Sequence, residues 1–246
     1  MNILVRLEEN FGKVIMFTIY GGALAIFIGL INFFFPKVIP YEFFDVWQSH
    51  STLWNAILFS WPIFAWVTCF TTFVAFSTRN SERENLFAEE YLKDGVIKSV
   101  IAGFFEEIIF RWLLFYSAIA MVQFFNGIFF DWWLIHFGIG EWFYTTIISH
   151  IVNFFTFGTM HDILFHPLGW FIGSAVVVSN KNFREGHKYL GFIGYINSWF
   201  IGMFLFYVMF HFGLLAAIVV HFIYDMIIFA IVYVDSVIER TQSKRR

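Results

Sequence analysis

The amino-acid sequence predicts an all-α protein, a polytopic transmembrane helix bundle of about six to eight membrane helices, each needing about 20 apolar residues to cross. Of the 246 residues, 59% are hydrophobic and 13% are charged, against ~25% charged in soluble domains. The apolar residues are also gathered into runs of about 18 or more, the length that crosses hydrocarbon as a helix. The lipid bilayer is therefore the first expected partner. A net charge of −3 supplies no basic face to pair with phosphates, which argues against nucleic acid. The single cysteine, Cys69, rules out an internal disulfide and a thiolate metal set.

Taken in order, the N-terminal MNILVRLEENFGK carries acidic residues in its charged flank, and no small-residue cleavage site follows the apolar run. Val14 to Phe35 therefore reads as a first span closed by Pro36, not as a removable signal. Leu53 to Phe76 is the second span. The polar STRNSERENLFAEEYLKDG reads as a solvent-side linker or surface helix. Val96 to Phe125 is the third span. Asn126 to Trp142, with Trp132, Trp133 and Trp142 and no Lys or Arg, fits an interfacial aromatic belt. Phe143 to Phe165 is the fourth span. Leu168 to Val178 is too short to cross unaided and is expected to be re-entrant or interfacial. After the polar SNKNFREGHK come two more spans, Leu190 to Phe210 and Leu214 to Val234. The expected organisation is a two-span region with its polar linker over 1–95, a catalytic helix bundle over 96–235 and a basic tail over 236–246.

Lys and Arg gather in the N-terminal segment, the linker, the loop from Ser179 to Lys188 and the tail, whereas the opposite loops hold only Lys37. By the positive-inside rule both termini are cytoplasmic. The expected location is a bacterial cell membrane. No internal repeat or low-complexity tract is present.

Ionisable residues inside apolar runs point to function. A charge at a helix centre costs about 2.5–3.5 kcal/mol on insertion scales, so such residues face a bundle interior and mark sites. FFEEIIFRW holds Glu106, Glu107 and Arg111. Glu107 and Arg111, four apart, share a helix face and neutralise each other; Glu106, about 100° away, lacks that local partner. FTFGTMH places Phe157 and His161 four apart, with His150 on nearly the same stripe, and HFIYD places His221 and Asp225 four apart. Two carboxylates and two imidazoles around one cavity form a general acid/base set. The bland reading is a buried ion pair, satisfied core histidines and a helix-packing aspartate. His50, His136, His166, His187 and His211 fall in loops or near span ends, where imidazole is cheap, and receive no role.

EEIIFR, FGTMH and HFIYD, in this order, resemble the motifs EExxxR, FxxxH and HxxxN/D of the CPBP family, also called Abi or type II CAAX prenyl endopeptidase-like. That family comprises multi-pass intramembrane proteases, and the resemblance covers about Val96 to Phe229. It implies that Glu106 and His161 activate the attacking water. It also implies that His221 and Asp225 polarise the scissile carbonyl or stabilise its oxyanion, while Glu107, Arg111 and Phe157 support them. Asp225 departs from the frequent Asn and is an acceptor unless protonated. The implied substrate is a membrane-associated protein or peptide, prenylated at a CAAX end if the organism prenylates.

No serine or cysteine stands beside a base in an obvious motif, so water is the expected nucleophile. Zinc is the rival means of activating it, since Glu106, His161 and His221 match a His₂Glu ligand set. HExxH is absent, as are the rhomboid GxSG and the GxGD partner of an aspartyl YD pair. Two other readings stand beside the protease: a transporter or proton-conducting protein using Glu106, His161 and His221 as a relay, and an inactive CPBP-like scaffold or immunity protein.

Overall fold

The computed structural model describes residues 3–34, 45–77, 88–125, 139–165, 169–188 and 191–243, and every regular element among them is helical. The expected all-α architecture holds. Most of the tryptophan-rich belt, the first half of the polar linker and the three last basic residues lie outside the described residues, as do Lys37, His136 and His166.

Helix α1 runs Ile3–Phe34. A single 3₁₀ turn, Asp45–Trp47, precedes α2 (Leu53–Phe59), where the Thr52 side chain accepts from the Asn55 amide and caps the helix. Such a cap satisfies an otherwise orphaned backbone N–H. Helix α3 is Trp61–Ser77 and α4 is Ala88–Ile101. The chain continues without a break through a π-helical segment, Ala102–Leu113, into α5, Leu114–Phe125. Then come α6 (Ile139–Phe143), a π turn Tyr144–Ile148, α7 (Ser149–Phe155) and α8 (His161–Leu164). Helix α9 is Gly169–Gly186, α10 is Gly191–Phe212 and α11 is Leu214–Ser243.

Two described helices are long and apolar enough to cross a membrane, Gly191–Phe212 and Leu214–Ile238. A third crossing is added if α2 and α3, bent by 50° where they meet, form one span. The count of six to eight therefore goes beyond the described helices. The expected fourth span is not one helix. Phe157 and Gly158 adopt φ of 53° and 75°, and the Gly158 amide closes back on the Asn153 carbonyl at 2.8 Å, so FTFGTMH ends α7 in a left-handed cap instead of continuing it.

Helix α11 is the central pillar, packing against α2, α3, α4, the π segment and α10. Helix α1 packs on the π segment and α5, so the first two helical regions join the same bundle as the later ones. The turn from α10 to α11 is a single residue, Gly213, at φ 93° with the Gln48 carbonyl 2.6 Å from where a Cβ would stand. Only glycine fits there. The core is continuous: Ile119, Phe115, Phe206, Leu205, Val208, Leu214 and Ala217 are buried together. Serine and threonine hydroxyls inside the helices donate to the carbonyl four residues back, as Ser60 to Ala56 at 2.7 Å and Ser99 to Gly95 at 2.8 Å, which satisfies them without water. Trp54, Trp61, Phe33, Phe73 and Phe192 project outward, as side chains facing lipid do.

Candidate active site

A close helix crossing positions the site. Gly103 of the π segment sits where an added Cβ would lie 3.2 Å from both the Ile218 carbonyl oxygen and the Phe222 nitrogen of α11. The two backbones meet because nothing stands between them. One turn along, this contact brings Glu107 and His221 together: the His221 Nδ1–H donates to Glu107 Oε1 at 2.8 Å. A carboxylate only accepts, so this bond fixes which ring nitrogen carries the proton. Glu107 also holds Arg111 Nη1 at 3.1 Å, both side chains fully buried. The guanidinium lies over the Phe183 ring at 4.0 Å and within 5.5 Å of Phe206, a cation–π setting for its remaining surface. The i, i+4 pairing of Glu107 and Arg111 stands as the spacing predicts, inside a π-helical stretch, a rare form that is frequent at functional sites.

On the cavity side, His221 Nε2 lies 3.8 Å from Asp225 Oδ2, and Glu106 Oε2 lies 3.8 Å from His187 Nε2. All four side chains line one cavity of about 590 Å³, together with Phe183, Asn197, Tyr224 and Lys98. His187 Nδ1 meets the Phe183 carbonyl at 2.8 Å. A carbonyl accepts, so Nδ1 donates and the neutral ring presents the Nε2 lone pair towards Glu106. Burial lowers the His187 pKa from its ordinary value of 6.5, outweighing the opposing hydrogen bond from its ring to Phe183. The ring is therefore neutral near pH 7. A gap of 3.8 Å is too wide for a direct hydrogen bond and suits one water touching both groups.

Of the residues singled out in the sequence, Glu106, Glu107, Arg111, His221 and Asp225 are gathered here. His161 and Phe157 are not. His161 opens the short α8, is exposed, and packs its ring on Phe165 at 4.7 Å; Phe157 is 85% exposed. His150 is likewise exposed and meets the same Phe165 ring. The ligand set Glu106, His161 and His221 is thus not assembled. Among the described residues no group of His, Cys, Asp or Glu side chains is arranged to hold a metal ion.

The histidine that faces Glu106 is His187, to which the sequence reading gave no role. A signal for it was present: Phe183 and His187 repeat the F-x-x-x-H spacing of Phe157 and His161. Its place in the polar SNKNFREGHK, instead of an apolar run, hides it. Phe183 is the hub of this side, its carbonyl orienting His187, its ring covering Arg111, and its ring centroid 6.1 Å from that of His221. Helix α9 is held against the π segment by the Ser179 hydroxyl, which donates to the Phe110 carbonyl. It is tied to α10 by the Asn180 amide donating to the Trp199 carbonyl at 3.0 Å.

Compared with known proteins, the chain matches no family model, no curated protein and no solved structure.

Proposed function

We propose that the protein is an intramembrane endopeptidase that cleaves membrane-associated protein or peptide substrates with a water activated by Glu106 and His187. The observation that carries this is the pair of facing acid/base couples in one cavity, Glu106 with His187 and His221 with Asp225. Peptide hydrolysis needs a base for the water, an acid for the leaving amine and a counter to the oxyanion. Water held between Glu106 and His187 loses a proton to that couple as its oxygen bonds to the scissile carbonyl carbon. The same couple then returns the proton to the leaving nitrogen as the C–N bond breaks. His221, fixed by Glu107, and Asp225 face the carbonyl from the other wall.

The resemblance of the motifs to those of the CPBP family supports the same reading. With Phe183 and His187 as the second motif, the set becomes EEIIFR, FREGH and HFIYD, still in order. We place the chain in a bacterial cell membrane as a multi-pass protein of about six spans, each of about 20 residues, with both termini cytoplasmic. The reading is tested with the full-length protein in liposomes and a lipid-anchored, internally quenched peptide library, followed by mass spectrometry of the products. Wild type is expected to cleave and Glu106→Gln to be inactive at an unchanged melting temperature. Equal cleavage by Glu106→Gln would end the proposal.

A further inference from the structure

The geometry points to Tyr224 as a catalytic hydrogen-bond donor to the oxyanion, aimed by Asn197 as its positioning residue. This inference rests on the endopeptidase reading and adds to it a neutral hydrogen-bond donor for the oxyanion. An oxyanion needs a donor that is ready before the charge develops. Asp225 donates only when protonated, and both His221 ring nitrogens face carboxylates, Nδ1 bonded to Glu107 at 2.8 Å and Nε2 3.8 Å from Asp225 Oδ2. A phenol donates in its ordinary neutral form.

A chain of three side chains decides where that phenol proton points. Trp66 of α3 places its indole Nε1 2.8 Å from Asn197 Oδ1. An indole N–H only donates, so the atom facing it is the amide oxygen, and the orientation of the Asn197 amide is settled by chemistry. Its Nδ2 therefore faces Tyr224 and donates to the phenol oxygen at 2.9 Å. With its oxygen accepting from Asn197, the phenol turns its own proton away from the amide. Both residues line the cavity that holds Glu106, His187, His221 and Asp225. On α11, Tyr224 follows His221 by three residues and precedes Asp225 by one, so it shares the cavity-facing stripe. The other hydroxyl on this wall, Ser198, is committed to the Gly194 carbonyl at 2.9 Å. Ser198 is thus excluded and Tyr224 selected.

The test uses the full-length protein in liposomes with the same lipid-anchored quenched peptides, measuring kcat and KM separately. Tyr224→Phe keeps the ring and removes the donor; kcat is expected to fall about 10²-fold, as for loss of one oxyanion donor, with KM little changed. Asn197→Asp keeps the phenol and reverses the bond, because a carboxylate accepts and turns the phenol proton away from the cavity. It is expected to cause a similar kcat loss, and the double variant to lose little more than either single one, as members of one network do. Melting temperatures close to wild type identify these as catalytic losses and not folding losses. If Tyr224→Phe retains kcat within about threefold of wild type, far from a donor's contribution, while Glu106→Gln is inactive, the inference falls and the endopeptidase reading survives. If wild type cleaves nothing, or Glu106→Gln cleaves as wild type does, the reading fails and this inference fails with it.

Discussion

Glu107 and Glu106 are neighbours in opposite surroundings. Glu107 is fully enclosed between Arg111 and His221, whereas Glu106 faces the cavity. Replacing Glu107 by Gln strips a buried guanidinium of its counter-charge, at a cost of about 3–5 kcal/mol. A lower melting temperature in detergent is the expected result, in contrast to Glu106→Gln, which should melt as wild type does. His187 sets a second expectation. Its pKa is lowered by burial, with His221 and Arg111 adding to the effect and the Phe183 hydrogen bond and Asp225 opposing it. The unfolded chain therefore takes up this proton first, so stability rises with pH in the window below 6.5 and is lost on acidification through it. The acid limb of the activity profile should lie below 6.5 as well, since a protonated His187 offers no lone pair. A limb well above that value would contradict the neutral ring.

The residues of the site were legible where a charge interrupts an apolar run. Glu106, Glu107, Arg111, His221 and Asp225 each announce themselves by the cost of placing them there. His187 did not, because imidazole in a polar stretch costs little, and only the return of α9 against the π segment makes it an interior group. His161 misled for the reverse reason: it stands in apolar sequence, yet the glycine after Phe157 turns the chain and leaves it outside.

At the scale of elements, the site depends on how closely the π segment and α11 approach. The i, i+4 spacing of EEIIFR and HFIYD was readable as two faces, but not that Gly103 would join them. Gly103→Ala places a methyl 3.2 Å from two backbone atoms of α11, and the overpacking is expected to cost about 1–3 kcal/mol. Because the same crossing sets the Glu107–His221 bond, thermal stability and cleavage should fall together. A Gly103→Ala protein that melts and cleaves as wild type does would show that the crossing is looser than described. Helix boundaries were harder to read than helix identity. The described second half of the linker, from Ala88, and the third span form one continuous helical run through the π segment, while the expected fourth span is broken into short pieces, because local turn chemistry at Phe157–Gly158 overrides hydrophobicity.

For the whole molecule, α10 and α11 form a hairpin across Gly213, and both are long and apolar enough to cross a membrane. If both cross, the chain returns to the side it left, and the C-terminal end of α9 around Arg184 lies on the same face as the C-terminal end of α11. The Lys and Arg distribution in the sequence motivates the same expectation. Single cysteines placed at Lys181 and Ser243 in a Cys69→Ser background should react with a membrane-impermeant maleimide from the cytoplasmic side only. Labelling of the two from opposite faces would remove one of the crossings.

The assembly of α4, the π segment, α9, α10 and α11 around one cavity makes His187, and not His161, the partner of Glu106. Cleavage of the lipid-anchored peptide library by the full-length His187→Ala and His161→Ala proteins, side by side in liposomes at matched folded protein, puts this to the test. His187→Ala is expected to lose at least about 10²-fold in kcat, the scale of a lost general acid/base, and His161→Ala to cleave as wild type does. An inactive His161→Ala protein beside an active His187→Ala protein would contradict the site described here.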